Sequence, residues 1–513
     1  MQTRGTNEHG FTVVGRLLRN GVFLTVFLLL AGCAAYRPLQ SPVEERSAIN
    51  RLRQALDSIY ADPLLDQVQC AIKVTSMTTG EVLYQRNSRL LFSPASNLKL
   101  LTTATALCKL GPNYRFRTIL AADSAAWLPG DSVLHGNLYL KGGGDPLFNT
   151  DNLLEMVHFL RDLPIREVEG AILADATFLD SLELGKGWMW DDEPYDFSAH
   201  LSALTLNENC VTFIIRPGLQ AGDPLRVEFW PPSPEIQVQN LGKTCDTLAP
   251  YHLAVERDFI HRKNVFTVRG SYPLAAPPDT TILNVENPAL FTVSTFARFL
   301  EQGNIRCKGG YGIGTLPANA ETLFVHQSPP LAQVVHHTNK ISDNLAAELI
   351  LKTLGAERKG PPGSAEKGLQ VVREFLQDIH VDSSSYHIVD GSGLSRYNLI
   401  TADLIVALLD YMYHNFAVRP EFLASLPIAG VDGTLDDRFS EGPGYSNLRA
   451  KTGTMEGVSS LSGYVSTADG EVLAFSILMQ NFLGPPRPYR QLQDRIGRVL
   501  ASFSRRQPVA GDK

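Results

Sequence analysis

Apolar residues recur at helical spacing in several stretches of the chain. In the first, Ile49, Leu52, Leu56 and Ile59 lie three or four residues apart, which places them on one face of an amphipathic helix. The same spacing predicts further helices with apolar residues at 293–300, 369–379 and 492–503. Asn287 and Pro288 suit the first positions of one of these helices, and Thr401 can cap another that continues to Leu409.

Strand-like runs occur early and late in the chain. Residues 70–75 and 81–85 resemble one hairpin, and residues 458–466 and 472–480 resemble a second one that turns at Asp469–Gly470. Helices occur on both sides of the late hairpin in sequence. This order predicts an α+β fold, in which an antiparallel sheet is flanked by helices.

The middle of the chain has a different residue pattern. From 114 to 281, short β-like runs such as 132–140, 211–215, 225–229 and 265–269 alternate with Gly, Pro and Asp. We therefore expect residues 43–113 and 282–513 to form one domain. The segment 114–281 is expected to be inserted into it as one or two smaller strand-rich domains.

The N-terminus resembles a targeting segment. Arg4, Arg16 and Arg19 precede an apolar run at 22–30, which is too short to span a bilayer. The run ends in Leu30-Ala31-Gly32-Cys33, which resembles the lipobox of bacterial lipoproteins; an ordinary signal peptide that is cut nearby is the alternative.

The lipobox predicts a signal peptide at 1–32, lipid attachment at Cys33 and a tether at 33–42. Residue 34 is alanine, and not the aspartate that in many Gram-negative cells retains lipoproteins at the inner membrane. We therefore expect the protein in the bacterial periplasm, held by its lipid anchor at the outer membrane.

Composition and cysteine usage exclude some functions. The 513 residues carry a net charge of −7, which gives no sign of a nucleic-acid partner. Export permits disulfides. If Cys33 carries lipid, five cysteines remain, an odd number, so at least one stays unpaired within the chain. The five are either small buried hydrophobic residues or form one or two disulfides. No C-x-x-C spacing occurs and His336–His337 has no neighbouring cysteine, so no metal site is expected.

The strongest chemical signal is Ser96-Asn97-Leu98-Lys99. Residues three apart on a helix share a face, so a helix that begins near Ser96 would bring the Lys99 amine beside the Ser96 hydroxyl. Burial lowers the pKa of a lysine, and the neutral amine is then a base that can activate serine. Alone, S-x-x-K also fits a solvated helix start with a capping serine.

Ser342-Asp343-Asn344 follows later in the chain. Ser342 is expected to begin a helix whose core positions include Leu345 and Leu349. At the edge of a cleft, Ser342 would pass a proton to the leaving group, and Asn344 would hold a substrate carbonyl or the lysine. By itself, this stretch fits an ordinary helix cap.

Lys451-Thr452-Gly453 is the third motif, and Thr454 follows it. On an edge strand, Lys451 and Thr452 would bind a carboxylate, and Gly453 would let the substrate backbone approach closely. The backbone N–H groups of Ser96 and Thr454 are candidates for an oxyanion hole.

S-x-x-K, S-D-N and K-T-G in this order are the motif set of penicillin-binding proteins and class A β-lactamases. The chain resembles the D-alanyl-D-alanine carboxypeptidase/endopeptidase family, the class C low-molecular-mass penicillin-binding proteins, from about Leu56 to Phe503. Four further stretches support the resemblance: Gly142-Gly143-Gly144-Asp145-Pro146, residues 188–209, Asp390-Gly391-Ser392-Gly393-Leu394-Ser395-Arg396 and Ala429-Gly430-Val431-Asp432-Gly433-Thr434.

The resemblance implies a β-lactamase/DD-peptidase-like domain with two smaller insertions and a serine DD-peptidase activity. The expected substrates are peptidoglycan stem peptides, cleaved through an acyl-enzyme on Ser96 that β-lactams would also form. No metal or organic cofactor is needed. Arg396 either pairs with a carboxylate of the stem peptide or forms a structural salt bridge.

Two other functions compete with this interpretation. A class A β-lactamase uses a glutamate between the first two motifs for deacylation, and no E-x-x-L-N stretch occurs between Ser96 and Ser342. The second alternative is a non-catalytic lipoprotein that binds the cell wall. Intact Ser96, Lys99, Ser342 and Lys451 argue against it, because binding alone does not require a nucleophile beside a base.

Overall fold

The computed structural model describes residues 42–248 and 250–506. Residues 52–503 form one unit, and the described residues 42–51 and 504–506 belong to another, in which Arg505 and Glu45 make an ion pair at 2.6 Å. The helices are α1 (Pro42–Tyr60), α2 (Lys99–Lys109), α3 (Thr150–Asp162), α4 (Pro288–Gln302), α5 (Leu331–Lys340), α6 (Asn344–Lys359), α7 (Ala365–Asp378), α8 (Ala402–His414), α9 (Arg419–Ser425) and α10 (Arg487–Ser502).

The strands are numbered in chain order. They are β1 (Gln69–Ser76), β2 (Val82–Arg86), β3 (Arg117–Ala122), β4 (Val133–Leu134), β5 (Leu138–Lys141), β6 (Glu167–Val168), β7 (Ile172–Asp175), β8 (Cys210–Arg216), β9 (Arg226–Trp230), β10 (Gln237–Asn240), β11 (Lys243–Cys245), β12 (His252–Arg257), β13 (Val265–Pro273), β14 (Asp279–Asn284), β15 (Arg306–Cys307), β16 (Tyr311–Ile313), β17 (Glu321–Gln327), β18 (Tyr386–His387), β19 (Leu399–Ile400), β20 (Arg449–Met455), β21 (Val458–Ser466) and β22 (Val472–Gln480).

The central sheet joins two early strands of the chain, β1 and β2, to the last three. Its strand order is β2-β1-β22-β21-β20, and every neighbouring pair is antiparallel. Eight consecutive residues of β21 are buried, so both faces of the sheet are covered. Helix α8 packs against β22, and α10 packs against β21. The predicted antiparallel sheet with flanking helices, an α+β fold, is confirmed.

The predicted helix starts follow from local capping. Thr401 Oγ1 accepts the Leu404 N–H at 3.1 Å at the start of α8, and Asn287 Oδ1 accepts the Leu290 N–H at 3.2 Å at the start of α4. Pro288 is the first residue of α4, where its missing N–H costs no hydrogen bond. The apolar face of α1 is buried as predicted, including Leu52 and Leu56.

The strand-rich segment has a core of its own. Its largest sheet has the order β16-β7-β5-β3-β17, and α3 and α4 contribute buried residues to the same core. Strand β17 pairs with β3 in antiparallel register, with Val325 opposite Ile119. Residues 311–327 therefore belong to a sheet of this segment, although they lie beyond the expected boundary at 281.

One predicted strand is divided in two. The run 132–140 contains β4 and β5, which belong to two different sheets. Residues 135–137 separate them, and Gly136 lies at the break. A glycine within a strand has no side chain to pack and weakens the strand, which is why an apolar run can bend here.

The cysteines after Cys33 are all free thiols, so the alternative of one or two disulfides is wrong. Cys70 and Cys210 are buried, and burial raises the pKa of Cys70 to about 12. Among residues 42–248 and 250–506, no helix combines the length and the apolar character of a membrane span. The predicted signal peptide, Cys33 and nearly all of the tether lie outside the described residues.

Candidate active site

Ser96 lies in a tight turn that leads directly into a buried helix. A 3₁₀ turn covers Ala95–Leu98, and α2 begins at Lys99. Ala95 has a φ of 46°, a left-handed conformation that an L-residue adopts at an energetic cost. The turn places Lys99 Nζ 3.0 Å from Ser96 Oγ, as the sequence spacing predicts.

Lys99 is fully buried and three oxygen atoms surround its amine. Besides Ser96 Oγ, Nζ donates to Asn344 Oδ1 at 2.5 Å and to the Ser392 carbonyl at 2.8 Å. Burial lowers the pKa of Lys99 to about 8, although the negative charges of Asp343, Asp390 and Glu348 oppose this shift. The neutral amine is thus accessible near neutral pH, as a general base requires.

The second motif enters the site in a different way from the one expected. Ser342 does not begin a helix: its φ is 68°, and α6 begins at Asn344. Asp343 occupies the cap position instead, because its Oδ1 accepts the Ala346 N–H at 3.0 Å. Asn344 links two sides of the site: its Oδ1 accepts from Lys99, and its Nδ2 donates to the Phe197 carbonyl at 2.7 Å.

The third motif lies on β20, the edge strand of the central sheet. Strand β20 pairs only with β21 in this sheet, and on its other side an isolated bridge joins its first residue, Arg449, to Ile428. A Cβ on Gly453 would lie 2.8 Å from the Pro94 carbonyl and 3.0 Å from the Ser96 nitrogen. The glycine therefore makes room for the turn that carries the nucleophile, whereas the sequence suggested room for the substrate.

The lysine and the threonines of this strand have different surroundings. Lys451 is fully buried, its Nζ donates to the Thr452 carbonyl at 3.0 Å, and burial and the Lys99 charge hold its pKa well below the usual value. The Thr452 hydroxyl hydrogen-bonds to the Thr434 hydroxyl at 2.7 Å. The Thr454 hydroxyl accepts from an Arg490 guanidinium at 3.0 Å.

A cavity of about 420 Å³ joins most of the predicted residues. Ser96, Ser342, Asn344, Arg396 and Thr454 all line it. Lys99, Lys451, Thr452 and Gly453 do not line the cavity; Lys99 and Gly453 contact the Ser96 turn directly. Thus one opening exposes the nucleophile together with groups from the second motif, the loop that ends at Arg396 and Thr454, which follows the third motif.

Two buried carboxylates for which the sequence predicted no role, Glu348 and Asp390, organise the neighbouring loop. Glu348 Oε1 accepts the Gly391 and Ser392 N–H groups at 2.9 and 2.8 Å. Asp390 accepts the Gly393 and Ser395 N–H groups at 3.0 and 2.7 Å. The sequence does contain one indication that Glu348 is buried near the site: it lies one helical turn after Asn344 and among apolar residues.

Burial also changes the protonation of these two carboxyls. It raises the pKa of Glu348 to about 7, and the charge of Asp390 adds to this shift. Burial likewise raises the pKa of Asp390. The hydrogen bonds from the loop oppose both shifts, because N–H donors stabilise the ionised carboxylate.

Arg396 follows this loop and is exposed at the cavity. Its Nη1 donates to the Glu456 carbonyl at 3.1 Å. Within the described residues no carboxylate forms an ion pair with Arg396, so the alternative of a structural salt bridge is not realised. The guanidinium remains available to a ligand in the cavity.

Comparison with known proteins agrees with this arrangement. The D-Ala-D-Ala carboxypeptidase 3 (S13) family matches residues 52–501. The D-alanyl-D-alanine carboxypeptidase of Actinomadura sp. (strain R39) is 36% identical over 476 residues, which cover 90% of this chain and 87% of that protein. The D-alanyl-D-alanine carboxypeptidase DacB of Haemophilus influenzae is 27% identical over 78% of this chain and 83% of its own length.

Solved structures support the fold. Penicillin binding protein 4 (dacB) of Haemophilus influenzae superposes with a TM-score of 0.74 at 24% identity, covering 88% of this chain and 98% of that one. The structure of the same protein complexed with a novel β-lactam has a TM-score of 0.71 at 23% identity, covering 89% and 99%. The expected fold class and family resemblance are confirmed. The chain belongs to the D-Ala-D-Ala carboxypeptidase 3 (S13) family and is a serine-type D-Ala-D-Ala carboxypeptidase.

Proposed function

We propose that the enzyme removes the terminal D-alanine from peptidoglycan stem peptides through an acyl-enzyme on Ser96. The observation that carries this proposal is the 3.0 Å separation of Lys99 Nζ and Ser96 Oγ, with Lys99 fully buried. A lysine pKa lowered to about 8 supplies the neutral amine that a serine nucleophile needs.

The proposed reaction has two stages. Neutral Lys99 takes the hydroxyl proton while Ser96 Oγ bonds to the carbonyl carbon before the terminal D-alanine, and the carbonyl electron pair moves to the oxygen. The backbone N–H groups of Ser96 and Thr454 are assigned to stabilise that oxyanion. Ser342 then passes its hydroxyl proton to the D-alanine nitrogen and regains one from protonated Lys99, while the oxyanion electron pair re-forms the carbonyl and the C–N bond breaks, releasing D-alanine. In the second stage Lys99, now neutral, takes a proton from water as the water oxygen attacks the ester carbonyl; the bond from Ser96 Oγ to the carbonyl carbon then breaks, and Lys99 returns the proton to Ser96.

Two basic side chains are assigned to the substrate carboxylates. Lys451 and Thr452 are assigned to the carboxylate of the terminal D-alanine. Arg396, exposed at the cavity, is assigned to a carboxylate elsewhere on the stem peptide. Asp191 and Asp192 line the same cavity and would favour an amine beside that second carboxylate.

The same site is proposed to act on two further classes of compound. A peptide cross-link between stems presents a comparable carbonyl, so endopeptidase cleavage would use the same nucleophile and base. A β-lactam ring presents a strained amide, and its opening by Ser96 would leave a covalent acyl group. The β-lactam complex of the Haemophilus influenzae protein supports the second assignment.

We also propose the periplasm as the site of action, with the protein held by lipid on Cys33. The basis is the sequence alone: the apolar run at 22–30 ends at Leu30-Ala31-Gly32-Cys33, and residue 34 is alanine. In this proposal the tether at 33–42 links the enzyme to the outer membrane and keeps it within reach of the cell wall.

A fluorescent penicillin tests the nucleophile and separates the rival functions. We expect a lasting label on the wild type, no label on Ser96→Ala, and a full label on the matched control Ser93→Ala, which lies just before the Ser96 turn. Rapid turnover without lasting label would indicate a β-lactamase, and no label at all a non-catalytic scaffold. Label on Ser96→Ala, located at another serine by mass spectrometry, would overturn the assignment. Defined monomeric and cross-linked muropeptides then measure carboxypeptidase and endopeptidase rates.

A further inference from the structure

A cluster of three possible metal ligands lies next to the Ser342 turn. His337 Nε2 is 3.2 Å from Asp343 Oδ2 and 3.8 Å from Glu208 Oε1, and the three ligand atoms all lie within 4.8 Å of one another. His337 comes from the last turn of α5, Asp343 caps α6, and Glu208 lies in the short turn Asn207–Asn209. The sequence did not predict this cluster, because no cysteine is near His337 and the ligands come from distant segments.

Two of the three ligand atoms are buried and accept or donate no hydrogen bond. The Asp343 side chain is only 5% exposed, and its Oδ1 is occupied by the Ala346 N–H. Oδ2 has no hydrogen-bond partner, and neither has His337 Nε2, because their 3.2 Å approach lacks hydrogen-bond geometry. A buried polar atom without a partner is costly, so two such atoms that face each other call for a shared ligand.

The cluster has more carboxylates than basic groups. Glu208 and Asp343 flank His337, and among the described residues no lysine or arginine forms an ion pair with either carboxylate. A divalent cation would balance this charge.

A second cluster of similar composition differs in that its carboxylates are already paired with arginines. Glu183, His200 and Glu286 also bring three ligand atoms within 4.8 Å. There, however, Arg257 Nη1 lies 3.4 Å and Arg262 Nη2 2.6 Å from the Glu286 carboxylate. Two guanidinium groups already neutralise that cluster, so it needs no metal ion.

We propose that Glu208, His337 and Asp343 bind a divalent transition metal ion, with Zn²⁺ as the best match. Bonds of about 2.0–2.2 Å to nitrogen and oxygen in a tetrahedron place neighbouring ligand atoms about 3.3–3.6 Å apart. The distances from His337 Nε2 to Asp343 Oδ2, 3.2 Å, and to Glu208 Oε1, 3.8 Å, are close to this range. Imidazole and carboxylate together suit zinc, whereas all-oxygen sites suit calcium and magnesium. A cavity of about 570 Å³ that Glu208 and His337 line leaves room for water as the remaining ligand.

The ion would brace the wall of the active-site cavity. Asp343 is the neighbour of Ser342 and of Asn344, and Asn344 Oδ1 contacts Lys99. A metal on Asp343 Oδ2 would connect this turn to α5 and to the 207–209 turn. Because the ligand set exists only in the folded chain, bound Zn²⁺ should raise the thermal midpoint of unfolding.

The direct test is calorimetric titration of the full chain with ZnCl₂ after treatment with a chelator. We expect one ion per chain, and a loss of at least about tenfold in affinity for both His337→Ala and Glu208→Gln. His336→Ala is the matched control, because His336 is the adjacent but exposed histidine, and it should bind as the wild type does. No saturable binding, or equal affinities of His337→Ala and His336→Ala, would overturn the proposal.

A second measurement locates the ion. Crystals grown with ZnCl₂ and measured at the zinc absorption edge should show one anomalous peak between His337 Nε2 and Asp343 Oδ2. A peak only at Glu183, His200 and Glu286 would contradict the assignment. Circular dichroism of each metal-free variant shows whether it is folded, and Glu208→Gln, at a half-exposed side chain, remains informative even if His337→Ala fails to fold.

Discussion

The side chains of Glu348 and Lys99 both form hydrogen bonds with the backbone of Ser392. Glu348 Oε1 accepts the Ser392 N–H at 2.8 Å, and the Ser392 carbonyl accepts from Lys99 Nζ at 2.8 Å. The carboxylate thereby holds the carbonyl that orients the general base, and its charge also acts on the pKa of Lys99. The protonation of the base thus depends on groups outside the three motifs.

The first prediction concerns the pH dependence of acylation. Burial lowers the pKa of Lys99 to about 8, and only the neutral amine accepts the Ser96 proton. The acylation rate should therefore rise about tenfold per pH unit below pH 8 and level off above it. Stopped-flow kinetics with a chromogenic β-lactam between pH 6 and 10 measure this profile, and a rate independent of pH in this range would exclude Lys99 as the base.

Glu348→Gln should move this profile toward lower pH. The negative charge of Glu348 favours the protonated form of Lys99, so its removal should lower the lysine pKa further. Glu357→Gln is the matched control, because Glu357 lies on the same helix, is exposed, and bonds to Tyr114 at 3.0 Å. If the two variants share the wild-type profile, Glu348 does not influence the base.

Lys451→Ala should weaken the use of substrates that end in a free carboxylate. A hydrogen bond to a charged group contributes about 1.5–3 kcal/mol, so we expect a roughly ten- to hundredfold loss in kcat/KM on a D-Ala-D-Ala peptide. The same peptide with an amidated C-terminus is the control, since it lacks the charge that Lys451 would bind. An equal loss on both peptides would show that Lys451 acts on the fold or on Lys99 rather than on the carboxylate.

Sequence reasoning succeeded where the relevant contacts are local. Ser96 and Lys99 are three residues apart, so one helical turn is enough to bring them together. The contacts of Lys99 with Asn344 and Ser392 cross 245 and 293 residues and depend on tertiary packing, which periodicity does not reveal. Only the family resemblance connected those segments in advance.

The errors have different physical origins. Ser342 was expected to begin a helix because serine is a good N-cap residue, but the N-cap position is occupied by Asp343. The expected boundary at 281 overlooked the pairing of β17 with β3, since strand partners about two hundred residues apart leave no local signature. Glu348 was missed because a glutamate within a helix usually faces solvent.

The lipid anchor gives a prediction that is independent of the catalytic motifs. Cys33→Ala removes the thiol that would carry lipid, so the wild type should fractionate with the outer membrane and the variant should not. Stable anchoring requires more than one acyl chain, as in bacterial lipoproteins, because a single chain binds membranes only marginally. Equal recovery of both proteins in the soluble periplasm would mean that the chain is merely secreted.

Gly453→Ala should impair acylation by displacing the nucleophile. An added Cβ would lie 2.2 Å from Ser460 Oγ, 2.8 Å from the Pro94 carbonyl and 3.0 Å from the Ser96 nitrogen, so the Ser96 turn would have to shift away from β20. Overpacking of this kind costs about 1–3 kcal/mol of stability, and a misplaced nucleophile can lower the rate about hundredfold.

Gly312→Ala is the matched control, because the new Cβ would meet only Leu173 Cδ2, at an ordinary 3.8 Å. Urea unfolding and β-lactam acylation of both variants separate the two effects. We expect Gly312→Ala to have a stability and an acylation rate close to those of the wild type. Gly453→Ala should lose acylation even in the absence of urea, where it is fully folded. Wild-type acylation by folded Gly453→Ala would show that the close packing of β20 against the Ser96 turn does not position the nucleophile.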